Sequence, residues 1–307
     1  MFFDGFALEQ VDVGDVTLRV RHGGDAGAPA VVLLHGHPRT HATWWRVAPL
    51  LVDNGFRVVC PDLRGYGRST APGDVEGHAQ ASKRAMAGDV VALMERLGCR
   101  TPFAVVGHDR GALVAFRTAM DHPDKVSKLV VMDGLPVLEH LERADWRFAA
   151  DWWHWWFMGQ TAKPAEVAIN DNLEWWYRVA PAEAMGAEAH ADLWSALRDP
   201  AVVHAMCEDY RAGLTIDPEH DAADRAAGRR VQAATLVLWS ARDDMEDLYG
   251  DPITAWRPWF ADDVDLRAGS VDSGHHAAEE APEQVASAVT AFLRRERPES
   301  EIRAQRP

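Results

Sequence analysis

Cysteine is scarce in this chain: Cys60, Cys99 and Cys207 are the only three in 307 residues. An odd, scattered set excludes a disulfide framework and a metal-ligand spacing, and points to free thiols in a reducing compartment. No apolar run is long enough to span a bilayer. The N-terminus lacks the basic region and apolar stretch of a secretory signal. These absences read as a soluble, cytoplasmic protein. Positive charge is short as well. A net charge of −15 argues against nucleic acid and anionic membranes as partners, and repels a small anionic substrate unless local cations meet it. There is no internal repeat and no low-complexity tract. What remains is 47% hydrophobic and 26% charged. That is ordinary for a globular chain, long enough for one large α/β domain or a core with an insertion.

Read in order, Leu8 to Val13 and Val16 to Arg21 alternate apolar and polar around Gly14-Asp15, which predicts a hairpin. Ala30 to Leu34 and Phe56 to Cys60 are continuous apolar runs, as expected of strands buried on both faces. Helical periodicity covers Thr43 to Val52 and Ser82 to Leu97. A strand at Phe103, a helix from Ala112 to Asp121 and a strand over Val126 to Met132 follow. Alternating strands and helices predict a parallel, doubly wound α/β sheet. The rhythm stops at Pro136. From there to about Arg225 only helical stretches appear, and they hold eight of the 13 tryptophans. Strands resume at Ala234 to Trp239 and Val264 to Val271, and a helix closes the pattern at Pro282 to Arg295. The expected domains are therefore a core over 1–135, a helical cap over 136–225, the rest of the core over 226–297, and a polar tail over 298–307.

The chain is organised around Gly107-His108-Asp109-Arg110-Gly111. This is the strand–turn–helix nucleophile elbow, Gly-x-Asp-x-Gly, with aspartate where an esterase has serine. The flanking glycines suit a tight turn, and the helix start aims free N–H groups and the positive dipole end at Asp109. A carboxylate needs no deprotonation at neutral pH and can attack an sp³ carbon directly. The product is an ester on Asp109 that a base-activated water can hydrolyse. The base should be a histidine on a late loop. Val271-Asp272-Ser273-Gly274-His275 supplies one, with His276 beside it.

His-Gly-His-Pro at 35–38, Asp62 to Ser69, the elbow, His154-Trp155, Met-Cys-Glu-Asp-Tyr-Arg-Ala-Gly at 206–213 and Ser-Gly-His at 273–275 together carry a family resemblance. The chain resembles the α/β-hydrolase fold, aspartate-nucleophile branch, and within it the fluoroacetate (haloacetate) dehalogenases, over about residues 30 to 292. The resemblance implies a mostly parallel doubly wound sheet with an inserted helical cap. It implies hydrolysis of a small haloacid through an aspartyl ester, with neither cofactor nor metal, in a homodimer. Asp109 is the implied nucleophile, and the Ser-Gly-His register selects His275 as base. The orienting acid is Asp133, after the strand that follows the elbow helix, or Asp243, after the next strand. The resemblance favours Asp133. Backbone N–H groups of His37 and Arg110 are the expected oxyanion hole. His154, Trp155 and Tyr210 are the expected halide donors.

Arg110 is expected to hold the substrate carboxylate. The resembling enzymes carry a second arginine three residues later, where this chain has Leu113. Arg39, just after His-Gly-His-Pro, is the expected replacement. Two other functions remain open. An epoxide hydrolase of the same branch would use the same Asp–His pair with Tyr177 and Tyr210 protonating the epoxide oxygen. A non-catalytic small-ligand receptor on this fold would be expected to lose Asp109 or His275, and both are present.

Overall fold

The apolar runs at 30–34, 57–61 and 103–108 become strands without one exposed side chain. Full burial of a valine or leucine stabilises by roughly 1.5–3 kcal/mol, so these strands belong at the sheet centre. The computed structural model describes residues 1–295. The polar tail expected at 298–307 lies outside the described residues. Eight strands form one sheet: β1 (Ala7–Asp12), β2 (Thr17–Gly23), β3 (Ala30–Leu34), β4 (Arg57–Pro61), β5 (Phe103–His108), β6 (Val126–Met132), β7 (Ala234–Ser240) and β8 (Leu266–Val271). Their order is β1-β2-β4-β3-β5-β6-β7-β8. β2 pairs antiparallel with β1 and β4, and every later pair is parallel. Crossing strands of this kind need helical connections.

Alternate residues of β3 feed two cores. Val32 and Leu34 pack with the helices Lys83–Arg96 and Arg110–Asp121. Val31 and Leu33 pack with the helices Val47–Asp53 and Pro282–Leu293. The run Thr43 to Val52 is broken in the structure: a 3-10 turn at His41–Trp44 precedes Val47–Asp53.

Between β6 and β7 the described chain contains helices and no strand. The longest of them, Pro200–Leu214, begins with Asp199 accepting from the Ala201 N–H (2.9 Å) and proline in its first turn, a strong start signal. It buries Met206, Cys207, Asp209 and Tyr210 over the carboxyl ends of the strands, where ligands bind in open α/β sheets. Among the described residues, no helix is long and apolar enough to cross a membrane.

Candidate active site

The elbow forms as its composition requires. Asp109 follows β5 with φ 50°, a positive φ that costs a non-glycine residue stability. A Cβ on Gly107 would strike the Gly111 carbonyl, and one on Gly111 would strike that of Leu34. Both glycines are therefore required by close approach. Asp109 Oδ1 accepts from the His37 N–H at 2.6 Å, and the Arg110 N–H also supports the carboxylate. Burial opposes the Asp109 charge, but His275, His108 and these donors outweigh it and hold the carboxyl below its ordinary range. His35 sets the loop that carries His37: its Nδ1 donates to the Gly36 carbonyl (2.9 Å) and its Nε2 accepts from the Leu63 N–H (3.0 Å).

His275 Nε2 lies 3.9 Å from Asp109 Oδ2. Its Nδ1 is 2.7 Å from Asp243 Oδ2. The expectation that favoured Asp133 is corrected here: the acid in contact with His275 is Asp243. Asp133 instead accepts from the Ser240 N–H and the Ser240 hydroxyl, both at 2.7 Å. The strand geometry is the reason. β7 ends beside Asp133, and Ser240 donates one bond to each of its oxygens. Asp243 sits three residues beyond Ser240, on the loop that passes His275. Burial disfavours the imidazolium, yet the Asp243 bond and the charges of Asp109 and Asp243 push His275 up to about 9. One supporting residue was not foreseen. His108 Nε2 donates to the His275 carbonyl at 2.6 Å, so the residue before the nucleophile ties down the loop of the base. Its place beside Asp109 in the elbow was the available signal.

A cavity of about 480 Å³ opens over Asp109. His37, His154, Tyr177 and Tyr210 line it with Trp152, Trp153 and Trp176. His154 and Tyr210 meet edge to face at 5.7 Å. Burial pushes His37 down to about 3 and His154 down to about 4, so both rings are neutral at pH 7. Burial pushes the Tyr177 and Tyr210 hydroxyls up, so both keep their protons to donate. Trp155 is not among the lining residues. It is buried behind Tyr210 with its ring 5.0 Å from the Arg110 guanidinium, a cation–π contact.

Both expected carboxylate clamps are committed elsewhere. Arg110 is fully buried, and its fork closes on Asp209: Nε to Oδ2 at 3.0 Å and Nη2 to Oδ1 at 2.9 Å. Tyr66 donates to the same acid at 2.7 Å, and Lys83 pairs with it. One Arg110 nitrogen, Nη1, is left without a partner. Arg39 forms its own fork with Glu279, at 2.8 and 3.1 Å, so the expectation of a pocket arginine there is corrected too. A buried guanidinium must be paired, and each found a carboxylate from a distant segment. Asp209 adjoins Tyr210 in the 206–213 motif, the one signal that could have exposed it. The cavity wall carries Asp109, Asp151, Asp243 and Asp244, and Arg178, an exposed residue, lines it as well.

Residues 29–174 match the model of the alpha/beta hydrolase fold family. The chain is 40% identical over 298 residues to a fluoroacetate dehalogenase of Burkholderia sp, covering 95% of each protein. The chain belongs to the α/β-hydrolase family. The crystal structure of ALR0039 from Nostoc sp PCC 7120 superposes on this hydrolase with a TM-score of 0.89 at 38% identity, covering 95% of this chain and 99% of that one. A soluble epoxide hydrolase of Corynebacterium sp. (strain C12) is 29% identical over 86% of this hydrolase and 89% of its own length.

Proposed function

We propose that this hydrolase releases a leaving group from an sp³ carbon through an ester on Asp109, and that its substrate is a small haloacid such as fluoroacetate. One observation carries the reading: Asp109 keeps Oδ1 on the His37 N–H at 2.6 Å and leaves Oδ2 beside His275 Nε2 at 3.9 Å. In the first step Oδ2 attacks the halogen-bearing carbon, a carbon–oxygen bond forms, and halide departs with the bonding pair. The His154 ring N–H and the Tyr210 hydroxyl are the donors that meet the halide. In the second step His275 takes a proton from water, and the hydroxide adds to the Asp109 carboxyl carbon. The charge that collects on Oδ1 is met by the His37 and Arg110 N–H groups. Collapse breaks the bond between the Asp109 carboxyl carbon and the ester oxygen, His275 returns its proton to the departing alkoxide, and the Asp109 carboxylate, a solvent-bound proton and a hydroxy acid result. Asp243 orients His275 and stabilises its imidazolium, as the third member of a triad does. With Arg110 and Arg39 paired internally, Arg178 is assigned the substrate carboxylate. The kinship with a fluoroacetate dehalogenase supports the leaving group.

A second reading is epoxide opening by the same pair. Tyr177 and Tyr210 both line the cavity with Asp109, as two proton donors to an epoxide oxygen would. Incubation with fluoroacetate, chloroacetate and styrene oxide separates the readings. Halide release that vanishes in Asp109→Ala is the expected result. Diol from styrene oxide with no halide from either acid would replace the first reading by the second.

A further inference from the structure

A second cavity, of about 320 Å³, lies between the loop after β4 and the cap helix Pro200–Leu214. Asp74, Gln80, His204 and Glu208 are on its wall. His204 and Glu208 are four residues apart and share one helix face. His204 Nδ1 is 2.8 Å from Glu166 Oε1, and its Nε2 is 3.0 Å from Asp74 Oδ2. Glu208 Oε2 is 2.8 Å from His78 Nδ1, while Arg211 holds Oε1 at 2.8 Å. The ligating atoms of Asp74, His204 and Glu208 all lie within 4.8 Å of one another. Gln80 Oε1 is a buried oxygen with no hydrogen-bond partner.

We propose that Asp74, His204 and Glu208 form a site for a divalent transition metal, zinc being the fitting ion, which clips the cap helix to the loop after β4. The donor set is one imidazole nitrogen and two carboxylates, a combination zinc accepts. His78 holds the Glu208 carboxylate from outside the set, its Nδ1 2.8 Å from Oε2. The Glu166–His204 contact is the outer carboxylate that fixes which ring nitrogen faces the ion. Among the described residues Asp74 pairs with His204 and no arginine, Arg211 holds Glu166 and Glu208, His78 pairs with Glu208, and Arg64 on the cavity wall is neutralised by Asp89, so the three carboxylates keep negative charge for a divalent ion to meet. His204 and Asp74 are 40% and 58% exposed, which leaves an entry path. Glu208 adjoins Asp209 and Tyr210 on the same helix, so the clip would stiffen the wall of the catalytic cavity.

The test is isothermal titration of the full-length, EDTA-treated protein with zinc chloride, and with magnesium chloride as the hard-ion control. Thermal melting is followed in parallel. We expect one zinc per chain, a melting temperature that climbs with zinc concentration, and no response to magnesium. His204→Ala and Asp74→Ala should each weaken zinc binding by roughly tenfold to a hundredfold. Far-UV circular dichroism and the metal-free melt check that each variant is folded. Absence of saturable zinc binding to the wild type overturns the proposal. So does binding that survives undiminished in both folded variants; loss of that binding in His108→Ala would then place the ion at His108, Asp133 and His275, the other grouped ligands among the described residues.

Discussion

Replacing Asp243 with asparagine should stall the protein after the first chemical step. The Asp243 carboxylate is 2.7 Å from His275 Nδ1, a charge-assisted contact. Asparagine keeps an oxygen there and loses the charge. Hydrogen bonds to charged groups contribute about 1.5–3 kcal/mol, and about 1.4 kcal/mol is tenfold in rate. Hydrolysis of the Asp109 ester should therefore slow by about tenfold to a hundredfold or somewhat more. Ester formation should change little, because His275 Nε2 stands 3.9 Å from Asp109 and is not the attacking group. The same variant should lower the His275 pKa from about 9 toward its ordinary 6.5, since Asp243 is the leading cause that raises it. The assay is single-turnover quench with chloroacetate, followed by intact mass and mapping of the peptide that contains Asp109. Asp243→Asn should accumulate the adduct. Asp133→Asn should turn over, because both Asp133 oxygens are held by Ser240 at the end of β7 rather than by His275. Adduct in Asp133→Asn, with normal turnover in Asp243→Asn, would refute the assignment.

His275→Asn should lose turnover outright and trap the adduct on Asp109; loss of turnover with no adduct would mean His275 is needed for attack. Ester formation should be flat over about pH 6 to 8, because Asp109 is ionised throughout that range. Ester hydrolysis should rise with pH, with a midpoint below 9, because esterification removes the Asp109 charge that helps raise His275. Rapid-mixing kinetics across pH read both limbs. A folded-state value above the ordinary one also means that the His275 ion pairs stabilise the fold fully below pH 6.5 and cease to as pH passes about 9, which melting curves would show. Tyr210→Phe should cost about 2–4 kcal/mol of barrier, more for fluoroacetate than for bromoacetate, by analogy with loss of an oxyanion-hole donor; equal losses for both halogens would leave Tyr210 a shape element. Arg178→Ala should raise KM for haloacetate and leave a neutral haloacetamide unchanged, and equal effects would remove the carboxylate from that residue.

The sequence by itself determined the sheet and the elbow. Short continuous apolar runs rich in valine read as strands buried on both faces, so β3, β4 and β5 were legible from length and composition. Gly107 and Gly111 were legible as requirements of a close-packed turn, and Asp109 as the group they present. Those are local properties: each depends on residues within one turn or one strand. Helical periodicity held less well at 43–52, where the helix begins only at Val47. Pairings between distant segments were left to the tertiary structure. Asp133 and Asp243 follow successive strands and look equivalent in sequence. Only the parallel pairing of β6 with β7 brings Ser240 onto Asp133 and leaves Asp243 for His275. Arg110 follows the nucleophile and reads as a substrate clamp, yet the fold buries it, and a buried guanidinium takes the nearest carboxylate. That carboxylate is Asp209, 99 residues away in sequence. Arg39 meets the same fate with Glu279 at a separation of 240. Charge in a folded interior is balanced across space, and no local pattern records which partner arrives.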